Sequence, residues 1–378
     1  MRAIVLGGGL VGGVMAKDLA KDGSIQVMVA DRDEKVLDKL TAENASITGC
    51  KLDFADTSAI REAVADYDLV IGAVPGFLGY NMLKTVIEAG KNISDISFSE
   101  CDLMELDELA KKHDVTAVVD CGVAPGLSNL FVGYGASMLD EAERAEILVG
   151  GLPVVREWPY EYKIVFSAID VLEEYTRPSR LVENGKIVIK PALSELELVE
   201  LPGAGTLEAF NTDGLRSLAY TMQIPNMREK TLRFPGHVER MRMLRETGFF
   251  SDQPISVNGV DVKPIDFTAN LLFPSWKMKE EDREFTVMRI DVEGKAGGSK
   301  RLLRYDMLDR FCETSKTTSM ARTTGFPCAI MGRLIMEGKF NRKGIVPPEF
   351  IGQDHETFRV LMDELSKRGV TVKETVIE

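Results

Sequence analysis

The 378-residue sequence has few of the residues on which metal centres and disulfide frameworks depend. Its three histidines, His113, His237 and His355, lie far apart in the chain, which argues against a site built on several histidines. Its five cysteines are scattered, odd in number and form no CxxC pair. This pattern favours reduced thiols over disulfides or a zinc site, and we expect no bound metal.

The sequence also has little clustered positive charge, because acidic neighbours dilute the basic run at Arg240, Arg242 and Arg245. The net charge is −13, which argues against a nucleic-acid partner because a phosphate backbone requires clustered cations. No apolar run reaches the length that spans a bilayer, and glycines interrupt the apolar start of the chain at once. The start is therefore interpreted as a first β-strand, and we expect a cytoplasmic protein that binds neither nucleic acid nor membrane.

Strand and helix patterns alternate over the first third of the sequence. Short apolar runs, typical of buried strands, occur at 3–6, 25–30, 68–73, 93–96 and 116–119. Helical stretches of about ten residues separate them, which predicts βαβ units and a parallel sheet. The fold class expected is an α/β Rossmann-fold dinucleotide-binding domain over residues 1–124.

The pattern changes after residue 125. Apolar and polar residues alternate over 160–166, 186–190 and 284–292, and a glycine-rich turn after the last run leads into a returning strand at 301–307. This predicts an α+β domain with a largely antiparallel sheet over 125–330, used for substrate binding and oligomerisation. The edge-like hairpin makes a homodimer the expected assembly.

The last stretch, 331–378, is expected to pack back on the Rossmann domain. Apolar residues on one helical face predict a helix with Asp354 as its N-cap and Gly369 as its end. A final strand is predicted at 370–372.

The clearest motif is Gly7-x-Gly9-x-x-Gly12, which follows the first strand and opens a helix. The first glycine permits a tight turn, the second lets a pyrophosphate approach the backbone, and the third lets helix and strand pack closely. Leu10 and Val11 lie within the same loop and are candidate cofactor contacts. The free N–H groups of the helix N-terminus favour the phosphates.

Asp31 ends the second strand, where an acid bonds the adenosine ribose of NAD and repels the 2′-phosphate of NADP. Arg32, directly after it, could instead accept that phosphate, so NAD is expected and NADP stays open. Asp53 could bond the adenine edge or be an ordinary loop acid. Val74 and Pro75 close the fourth strand, where the nicotinamide half is expected.

The chain resembles the saccharopine dehydrogenase superfamily and, within it, the lysine 6-dehydrogenases. The resemblance covers nearly the whole chain, and the motifs that carry it are Gly7–Gly12, Asp120–Gly126, Leu207–Gly214, Thr231–Glu239 and Met320–Thr324. It implies a Rossmann domain, a second substrate and oligomerisation domain, and NAD(P)-linked oxidation of a C–N bond in a small amino-acid substrate. Lysine 6-dehydrogenases oxidise the ε-amine of lysine to aminoadipate semialdehyde, which cyclises, and release ammonia. Saccharopine dehydrogenases oxidise a secondary amine, and some relatives use carboxylated polyamines.

Amine oxidation requires a neutral nitrogen, although the ordinary pKa of a lysine amine is about 10.4. A proton acceptor is therefore needed. Asp120, at the end of a predicted strand, is either that acceptor or a capping acid of the turn that follows. Asp95, also at a strand end, is a second catalytic candidate or a cofactor contact, and Gly122 in the turn is a candidate cofactor contact. His237 is either catalytic or a helix-start histidine bonded to the backbone.

A substrate carboxylate calls for an arginine fork. Arg322 is the first candidate, with Thr323 and Thr324 as hydroxyl donors, and Arg233 is the second. Asp213 could pair with the substrate ammonium or simply belong to a turn, and Tyr160 could line the pocket or a subunit interface. The sequence thus predicts an NAD-dependent lysine 6-dehydrogenase. The alternatives are a saccharopine or related secondary-amine dehydrogenase and a non-catalytic NAD-binding regulator.

Overall fold

The computed structural model describes residues 1–166 and 168–378, which divide into two compact units. The first unit consists of Met1–Met138 and Ala321–Thr371, and the second of Leu139–Met320 and Val372–Glu378. The chain therefore passes from the first unit to the second after Met138, returns to the first at Ala321, and enters the second again at Val372.

The elements are numbered along the chain. The N-terminal part contains β1 (Arg2–Leu6), α1 (Gly12–Ala20), β2 (Gln26–Asp31), α2 (Glu34–Glu43), β3 (Ile47–Lys51), α3 (Thr57–Val64), β4 (Leu69–Gly72), α4 (Gly76–Glu88), β5 (Ile93–Asp95), a 3-10 helix (Leu103–Leu106), α5 (Asp107–Lys112), β6 (Thr116–Val118) and α6 (Leu127–Ser137). The middle contains β7 (Glu141–Pro153), α7 (Ala168–Thr176), β8 (Ser179–Glu183), β9 (Lys186–Lys190), β10 (Glu197–Leu201), β11 (Gly205–Asn211), α8 (Leu218–Thr221), β12 (Asn226–Arg233), α9 (His237–Glu246), β13 (Ile255–Val257), β14 (Val260–Val262), α10 (Pro264–Trp276), β15 (Glu284–Ala296) and β16 (Ser299–Arg310). The C-terminal part contains α11 (Ser319–Met336), β17 (Gly344–Val346), α12 (Pro348–Gln353), α13 (His355–Lys367) and β18 (Lys373–Ile377).

The first unit is built on a parallel sheet. Among the described residues its strand order is β17-β6-β5-β4-β1-β2-β3, and every neighbouring pair is parallel. Strands β1, β4, β5 and β6 are short and almost wholly buried, as expected when helices cover both faces. Aliphatic side chains from β1, β4 and α4 form the core, including Ile4, Leu6, Val70, Leu83 and Val86. The predicted Rossmann domain is confirmed.

The second unit is built on a mixed sheet. Its main path runs β10-β11-β12-β7-β15-β16-β18, with the β8–β9 hairpin attached through β12. The pairing of β12 with β7 is parallel, and the other described pairings in this sheet are antiparallel. The hairpin expected near 284–307 is confirmed as β15 and β16, which pair from Phe285 with Arg310 to Ala296 with Ser299.

Two local predictions are wrong. The strand expected over 160–166 is absent, because Ile164 makes only an isolated bridge to Lys277 and the neighbouring residues have irregular backbone. The last strand begins at Lys373 rather than at 370, and it pairs antiparallel with β16 along Leu302–Asp306. The outer side of β16 is therefore partly covered by the chain's own C-terminal strand.

Candidate active site

The glycine loop has the shape that a dinucleotide requires. A Cβ at Gly7, where φ is +108°, would lie 2.3 Å from the Ala73 carbonyl oxygen, and one at Gly12 would lie 1.9 Å from the Gly7 carbonyl oxygen. A Cβ at Gly9 would meet no atom within 4 Å. The loop is thus tightly packed on its inner side and open at Gly9, where a pyrophosphate would lie against the backbone. The residues present fit a bound dinucleotide.

The loop leads into α1, which presents its free N–H groups to that open space. Val11 is the residue before α1, and Leu10 beside it is 61 % exposed. An exposed leucine at this position leaves an apolar surface for a cofactor. The sequence placed both residues among the cofactor contacts, and the structure places them at the mouth of the loop.

Asp31 lies at the carboxyl end of β2, the strand next to β1. Its Oδ2 accepts a hydrogen bond from the Gly8 N–H at 2.7 Å, and its Oδ1 accepts one from the Asp33 N–H at 2.9 Å. Arg32 is exposed. The acid therefore has a fixed position beside the glycine loop.

Two further cofactor candidates lie after neighbouring strands. Asp53 follows β3, is exposed, and accepts a hydrogen bond from the Ala55 N–H at 3.0 Å. Val74 is buried after β4, and Pro75 is the residue before α4. Because β1 lies between β2 and β4, the crevice at their carboxyl ends is the point where a parallel sheet of this kind binds dinucleotides.

Asp95 ends β5 at the same edge of the sheet and is 1 % exposed. Its Oδ1 accepts hydrogen bonds from the Ser97 N–H at 2.9 Å and the Ser97 hydroxyl at 2.7 Å, whereas no described residue bonds Oδ2. Burial raises the pKa of Asp95 to about 7, and the nearby charge of Asp120 adds to the increase. Asp95 can therefore gain or lose a proton near neutral pH, and its Oδ2 has no hydrogen bond to a described residue.

Asp120 is buried two residues beyond β6 and adopts a positive φ of 48°. The next residue, Cys121, donates its N–H to the Asp95 carbonyl oxygen at 2.9 Å. Strands β5 and β6 pair in parallel, so the two acids leave adjacent strands side by side. The negative charge of Asp120 therefore favours the protonated form of Asp95.

The turn after Asp120 brings α11 to this edge. A Cβ at Gly122 would lie 3.0 Å from the Pro125 carbonyl oxygen and 3.2 Å from the Thr324 methyl group. Thr323 is fully buried in the same helix. The first unit thus gathers Asp95, Asp120, Gly122 and Thr324 in one region.

Sequence reasoning missed two residues near Asp95, Cys328 and Ser94. The Cys328 thiol donates to the Ser94 hydroxyl at 3.2 Å, and burial raises the pKa of that thiol well above its ordinary value. Cys328 and Ser94 are 234 residues apart, so no local pattern could reveal the contact. Cys328 is close enough to Asp95 for the carboxylate to raise the thiol pKa further, so the thiol and the Ser94 hydroxyl belong to the surroundings of Asp95.

Arg322 belongs to the first unit and lies near the end of α13. Its Nη2 donates to the Arg368 carbonyl oxygen at 3.0 Å, and its guanidinium lies 6.0 Å from the centre of the Phe326 ring. A cation at a helix C-terminus stabilises the last carbonyl groups. Arg322 therefore stabilises the end of α13, whereas its predicted role is to bind a substrate carboxylate.

In the second unit, His237 is buried with a partner on each ring nitrogen. Nδ1 lies 2.9 Å from the Tyr160 carbonyl oxygen, so it carries the hydrogen, and Nε2 lies 2.9 Å from the Tyr175 hydroxyl and accepts from it. Burial lowers the pKa of His237 to about 3, with the charge of Arg233 as a further cause. The imidazole is therefore neutral at physiological pH.

Arg233 is buried four residues earlier and forms an ion pair with Glu174. Its guanidinium stacks 4.6 Å from the centre of the Tyr162 ring. Glu174 and Tyr175 are adjacent on α7, so Arg233 and His237 hold two consecutive residues of that helix.

Asp213 has a different partner. Its two oxygens accept from Arg180 Nε at 2.8 Å and Nη2 at 2.7 Å, in a bidentate pair.

Glu208, which the sequence did not single out, accepts from the N–H groups of Gly236 and Val238 and so caps α9. The second unit thus places Arg233, His237 and Tyr160 together, and Asp213 beside Arg180.

Two absences are noted for the described part of the chain. It contains no group of three or more His, Cys, Asp or Glu side chains placed to hold a metal ion. None of the helices found among residues 1–166 and 168–378 has both the length and the apolarity needed to cross a bilayer.

Comparison with known proteins matches both parts of the chain to one family. Residues 3–118 match the saccharopine dehydrogenase NADP binding domain, and residues 122–370 match the saccharopine dehydrogenase C-terminal domain. The chain is similar to a saccharopine dehydrogenase [NADP(+), L-glutamate-forming] of Schizosaccharomyces pombe, with 24 % identity over 99 % of both chains. It is also similar to a carboxyaminopropylagmatine dehydrogenase of Synechocystis, with 21 % identity over 93 % of both chains.

A solved structure shows the same fold. Apo saccharopine dehydrogenase (L-Glu forming) from Saccharomyces cerevisiae superposes over 100 % of both chains with a TM-score of 0.82 at 20 % sequence identity. The resemblance noted in the motifs is thereby confirmed at the level of the superfamily, and so is the nicotinamide dinucleotide as cofactor. The chain belongs to the saccharopine dehydrogenase family and is an NAD(P)-dependent oxidoreductase.

Proposed function

We propose that the chain oxidises a secondary amine that links two amino-acid-derived parts, the chemical class to which saccharopine belongs. The observation that carries amine oxidation is the buried pair Asp95 and Asp120 at the carboxyl edge of the parallel sheet, with one oxygen of Asp95 free of hydrogen bonds among the described residues. The names of the similar proteins, which include saccharopine and carboxyaminopropylagmatine dehydrogenases, support a secondary amine over a primary one.

The reaction is a two-electron oxidation followed by hydrolysis. The C–H bond beside the nitrogen breaks, the bound nicotinamide supplies the acceptor for its hydride, and the amine nitrogen loses a proton. Water then adds to the resulting C=N bond, which divides into a carbonyl compound and a primary amine. One secondary amine, one oxidised cofactor and one water thus yield a carbonyl compound, an amine, a reduced cofactor and a proton.

Asp95 is the proposed proton acceptor. A pKa of about 7 lets its carboxylate take a proton from an ammonium group and return it later, because the acceptor and its conjugate acid are both populated near neutral pH. Ser97 holds Oδ1, which leaves Oδ2 as the reactive atom. Asp120, at the adjacent strand end, is the proposed partner whose negative charge raises the pKa of Asp95.

The substrate carboxylates are proposed to bind to arginine. Arg322 and Arg233 stay the two candidates, and each already has a protein partner, the Arg368 carbonyl group and Glu174. Thr323, Thr324, Tyr160 and Asp213 stay proposed contacts of the substrate's polar groups. Replacing either arginine by glutamine is expected to raise KM more than it lowers kcat if that arginine binds a carboxylate.

His237 is proposed as a positioning residue rather than as the proton acceptor. Both ring nitrogens are occupied, and a pKa of about 3 leaves the ring neutral throughout the physiological range. Its bond to Tyr175 stabilises α7, whose next residue toward the N-terminus, Glu174, pairs with Arg233. The residue therefore acts on the substrate site only through that arginine.

L-lysine is the second candidate substrate, because the motifs from Asp120 to Thr324 resemble those of lysine 6-dehydrogenases. The ε-amine of lysine would undergo the same oxidation and would release ammonia instead of a second amino acid. The acid pair fits either substrate. The identity of the released amine therefore distinguishes the two.

The test is reduced-cofactor formation by the purified chain with saccharopine, L-lysine and a carboxyalkyl polyamine in parallel. Reduced cofactor matched by an equal amount of amino acid or polyamine, without ammonia, supports the proposal. Turnover of lysine with equimolar ammonia and inert saccharopine overturns it in favour of deamination. Dinucleotide binding without turnover of any amine overturns both and supports a non-catalytic regulator.

A homodimer in the cytoplasm is proposed as the working form. The sequence assigned the contact to the edge of the β15–β16 hairpin, and β18 now occupies part of that edge. The remaining unpaired side of the described sheet at this end belongs to β18. Sedimentation that shows only monomer at working concentration would contradict the proposal.

A further inference from the structure

Glu229 is a buried acid of the second unit that has no ion-pair partner among the described residues. It lies on β12 and is 3 % exposed. Its Oε2 accepts hydrogen bonds from the Thr212 hydroxyl at 2.5 Å and from the Gly214 N–H at 3.1 Å, whereas no described residue bonds Oε1. A buried carboxylate is stable only when a cation balances its charge, so this position favours the binding of a positive group.

The other acids around Glu229 already have their cations. Glu174 of α7 pairs with Arg233, and Asp213 forms its bidentate pair with Arg180. Burial raises the pKa of Glu229 to about 8, and the charges of Glu174 and Asp213 add to the increase. A cation bound to Glu229 would reverse this effect and return the side chain to its carboxylate form.

The neighbouring lysine does not supply that cation. Side chains alternate along a strand, so Lys230 points to the opposite face of β12, where it bonds Glu197 at 2.6 Å. Arg233, four residues from Glu229, shares the face of Glu229, and its Nε is a buried donor without an acceptor among the described residues. One face of β12 thus leaves one carboxylate oxygen and one guanidinium N–H without a hydrogen-bond partner in the described chain.

Gly214 leaves room for the carboxylate and helps to orient it. A Cβ at Gly214 would lie 2.5 Å from Cδ and 2.6 Å from Oε2 of Glu229. Because Thr212 and Gly214 both bind Oε2, Oε1 is the remaining acceptor. A single oxygen suits one N–H of an ammonium group, whereas a guanidinium binds a carboxylate best through both oxygens.

We propose that Glu229 binds a primary ammonium group of the substrate and that Arg233 Nε binds the carboxylate beside it. The zwitterionic end of an α-amino acid supplies one such cation and one such anion. Saccharopine and L-lysine both have this end, away from the nitrogen that is oxidised. The assignment rests on the proposed function, since the ligand of the second unit is taken to be the amine substrate. Glu229 is thereby a specificity-determining residue for amines with an α-amino-acid end.

The experiment is calorimetric titration of the full chain with L-lysine and with 6-aminohexanoate, after saturation with whichever of NADH and NADPH binds more tightly. The reduced cofactor prevents oxidation of either ligand, and 6-aminohexanoate lacks only the α-ammonium group. The unmodified chain is expected to bind L-lysine at least about tenfold more tightly. Glu229→Gln keeps the size of the side chain and should remove this preference, while retained binding of 6-aminohexanoate shows that the site is intact.

Glu208→Gln is the matched control. Glu208 is also 3 % exposed, but its two oxygens accept from the N–H groups of Gly236 and Val238. This variant should keep the preference for L-lysine. Equal binding of the two ligands by the unmodified chain, an undiminished preference in Glu229→Gln, or an equal loss in both variants overturns the inference.

Proton release is a second readout. At pH 7 the binding of L-lysine should release up to about one proton more than the binding of 6-aminohexanoate, because the ammonium group converts the neutral acid into a carboxylate. Titrations in two buffers with different ionisation enthalpies measure this difference. Glu229→Gln should abolish it, and a difference that persists in this variant contradicts the assignment.

The outcome is separable from that of the proposed reaction. Turnover of saccharopine with an unchanged KM in Glu229→Gln leaves the proposed function standing and overturns the role of Glu229. Glu229-dependent binding of L-lysine without turnover of any amine overturns the proposed reaction alone.

Discussion

Arg368 and Asp18 form a bidentate ion pair between residues 350 positions apart in the chain. Arg368 Nε lies 2.8 Å from Asp18 Oδ1, and Nη2 lies 3.0 Å from Oδ2. Asp18 belongs to α1, the helix that follows the glycine loop, and Arg368 follows the last helix of the first unit. The pair therefore ties the C-terminal segment to the cofactor-binding helix.

Replacing Arg368 by lysine is expected to lower the free energy of unfolding by about 2 kcal/mol, because lysine cannot reproduce two parallel hydrogen bonds to a carboxylate with little exposure. The measurement is the midpoint of urea denaturation, monitored by a signal that reports on unfolding of the first unit. Lys367→Ala, which removes the exposed cation at the neighbouring last position of α13, is the control and is expected to change the value by no more than about 0.5 kcal/mol. Equal effects of the two substitutions on the free energy of unfolding would contradict the stabilising role assigned to the Arg368–Asp18 ion pair.

The contact between Arg368 and Asp18 also shows where sequence reasoning stops. The Rossmann strands, the glycine loop and the β15–β16 hairpin each have a local periodicity or turn signal, and all three were predicted correctly. Asp354 was predicted as an N-cap, and its carboxylate accepts from the N–H groups of Glu356 and Thr357. These features depend on interactions between near neighbours.

Features that depend on distant partners were missed or misplaced. The stretch 160–166 alternates like a strand but has only one bridge partner, Lys277, and its aromatic side chains pack around Trp276 instead. The last strand lies at 373–377 because its register is set by β16. For the candidate site, both acids at strand ends were named from the sequence, whereas the hydrogen bond between Cys328 and Ser94 was not predicted.

Two of the motif glycines, Gly9 and Gly12, are expected to respond differently to an added methyl group. Gly9→Ala should change the free energy of unfolding by no more than about 0.5 kcal/mol, because the added Cβ meets no atom within 4 Å. It should weaken NADH binding by more than about tenfold, because that open space is where we expect the pyrophosphate to bind. Gly12→Ala should lower stability itself, since its Cβ would lie 1.9 Å from the Gly7 carbonyl oxygen. Urea denaturation and calorimetric titration measure the two effects separately. Undiminished NADH affinity in Gly9→Ala would contradict the assignment of this loop.

Asp95 is expected to make stability and activity depend on pH in a defined direction. Its pKa is raised from 3.8 to about 7 in the folded protein, so the folded state binds the proton more tightly than the unfolded one. The stability it contributes is present below pH 4 and is lost as pH rises to about 7, by an amount on the order of 4 kcal/mol at most. Over the same range amine oxidation should rise, because the carboxylate form accepts the proton.

The measurement is the difference in unfolding free energy between the unmodified chain and Asp95→Asn at several pH values, together with the pH profile of kcat/KM. The uncharged amide does not titrate, so the difference in unfolding free energy between the two proteins should change between pH 4 and about 7, and kcat should fall by about a hundredfold or more. Ser97→Ala, which removes one hydrogen bond to Oδ1, should shift the apparent pKa of the profile upward with a smaller loss of rate. An unchanged profile in Asp95→Asn would assign the proton transfer to another group.

His237 is expected to have the opposite linkage and no part in the activity profile. Its pKa is lowered from 6.5 to about 3, so its contribution to stability is present above pH 6.5 and is lost as pH falls from there toward 3. His237→Gln should therefore reduce the acid sensitivity of the second unit while it weakens the contact with Tyr175. Because the ring is neutral near neutral pH, the pH profile of kcat/KM in this variant should keep the same apparent pKa values. A lower magnitude of kcat/KM is compatible with this role, since loss of the bond to Tyr175 disturbs α7 and, with it, the Glu174 partner of Arg233. If the rise of kcat/KM near neutral pH disappears in His237→Gln and persists in Asp95→Asn, the imidazole, and not Asp95, takes the proton from the amine.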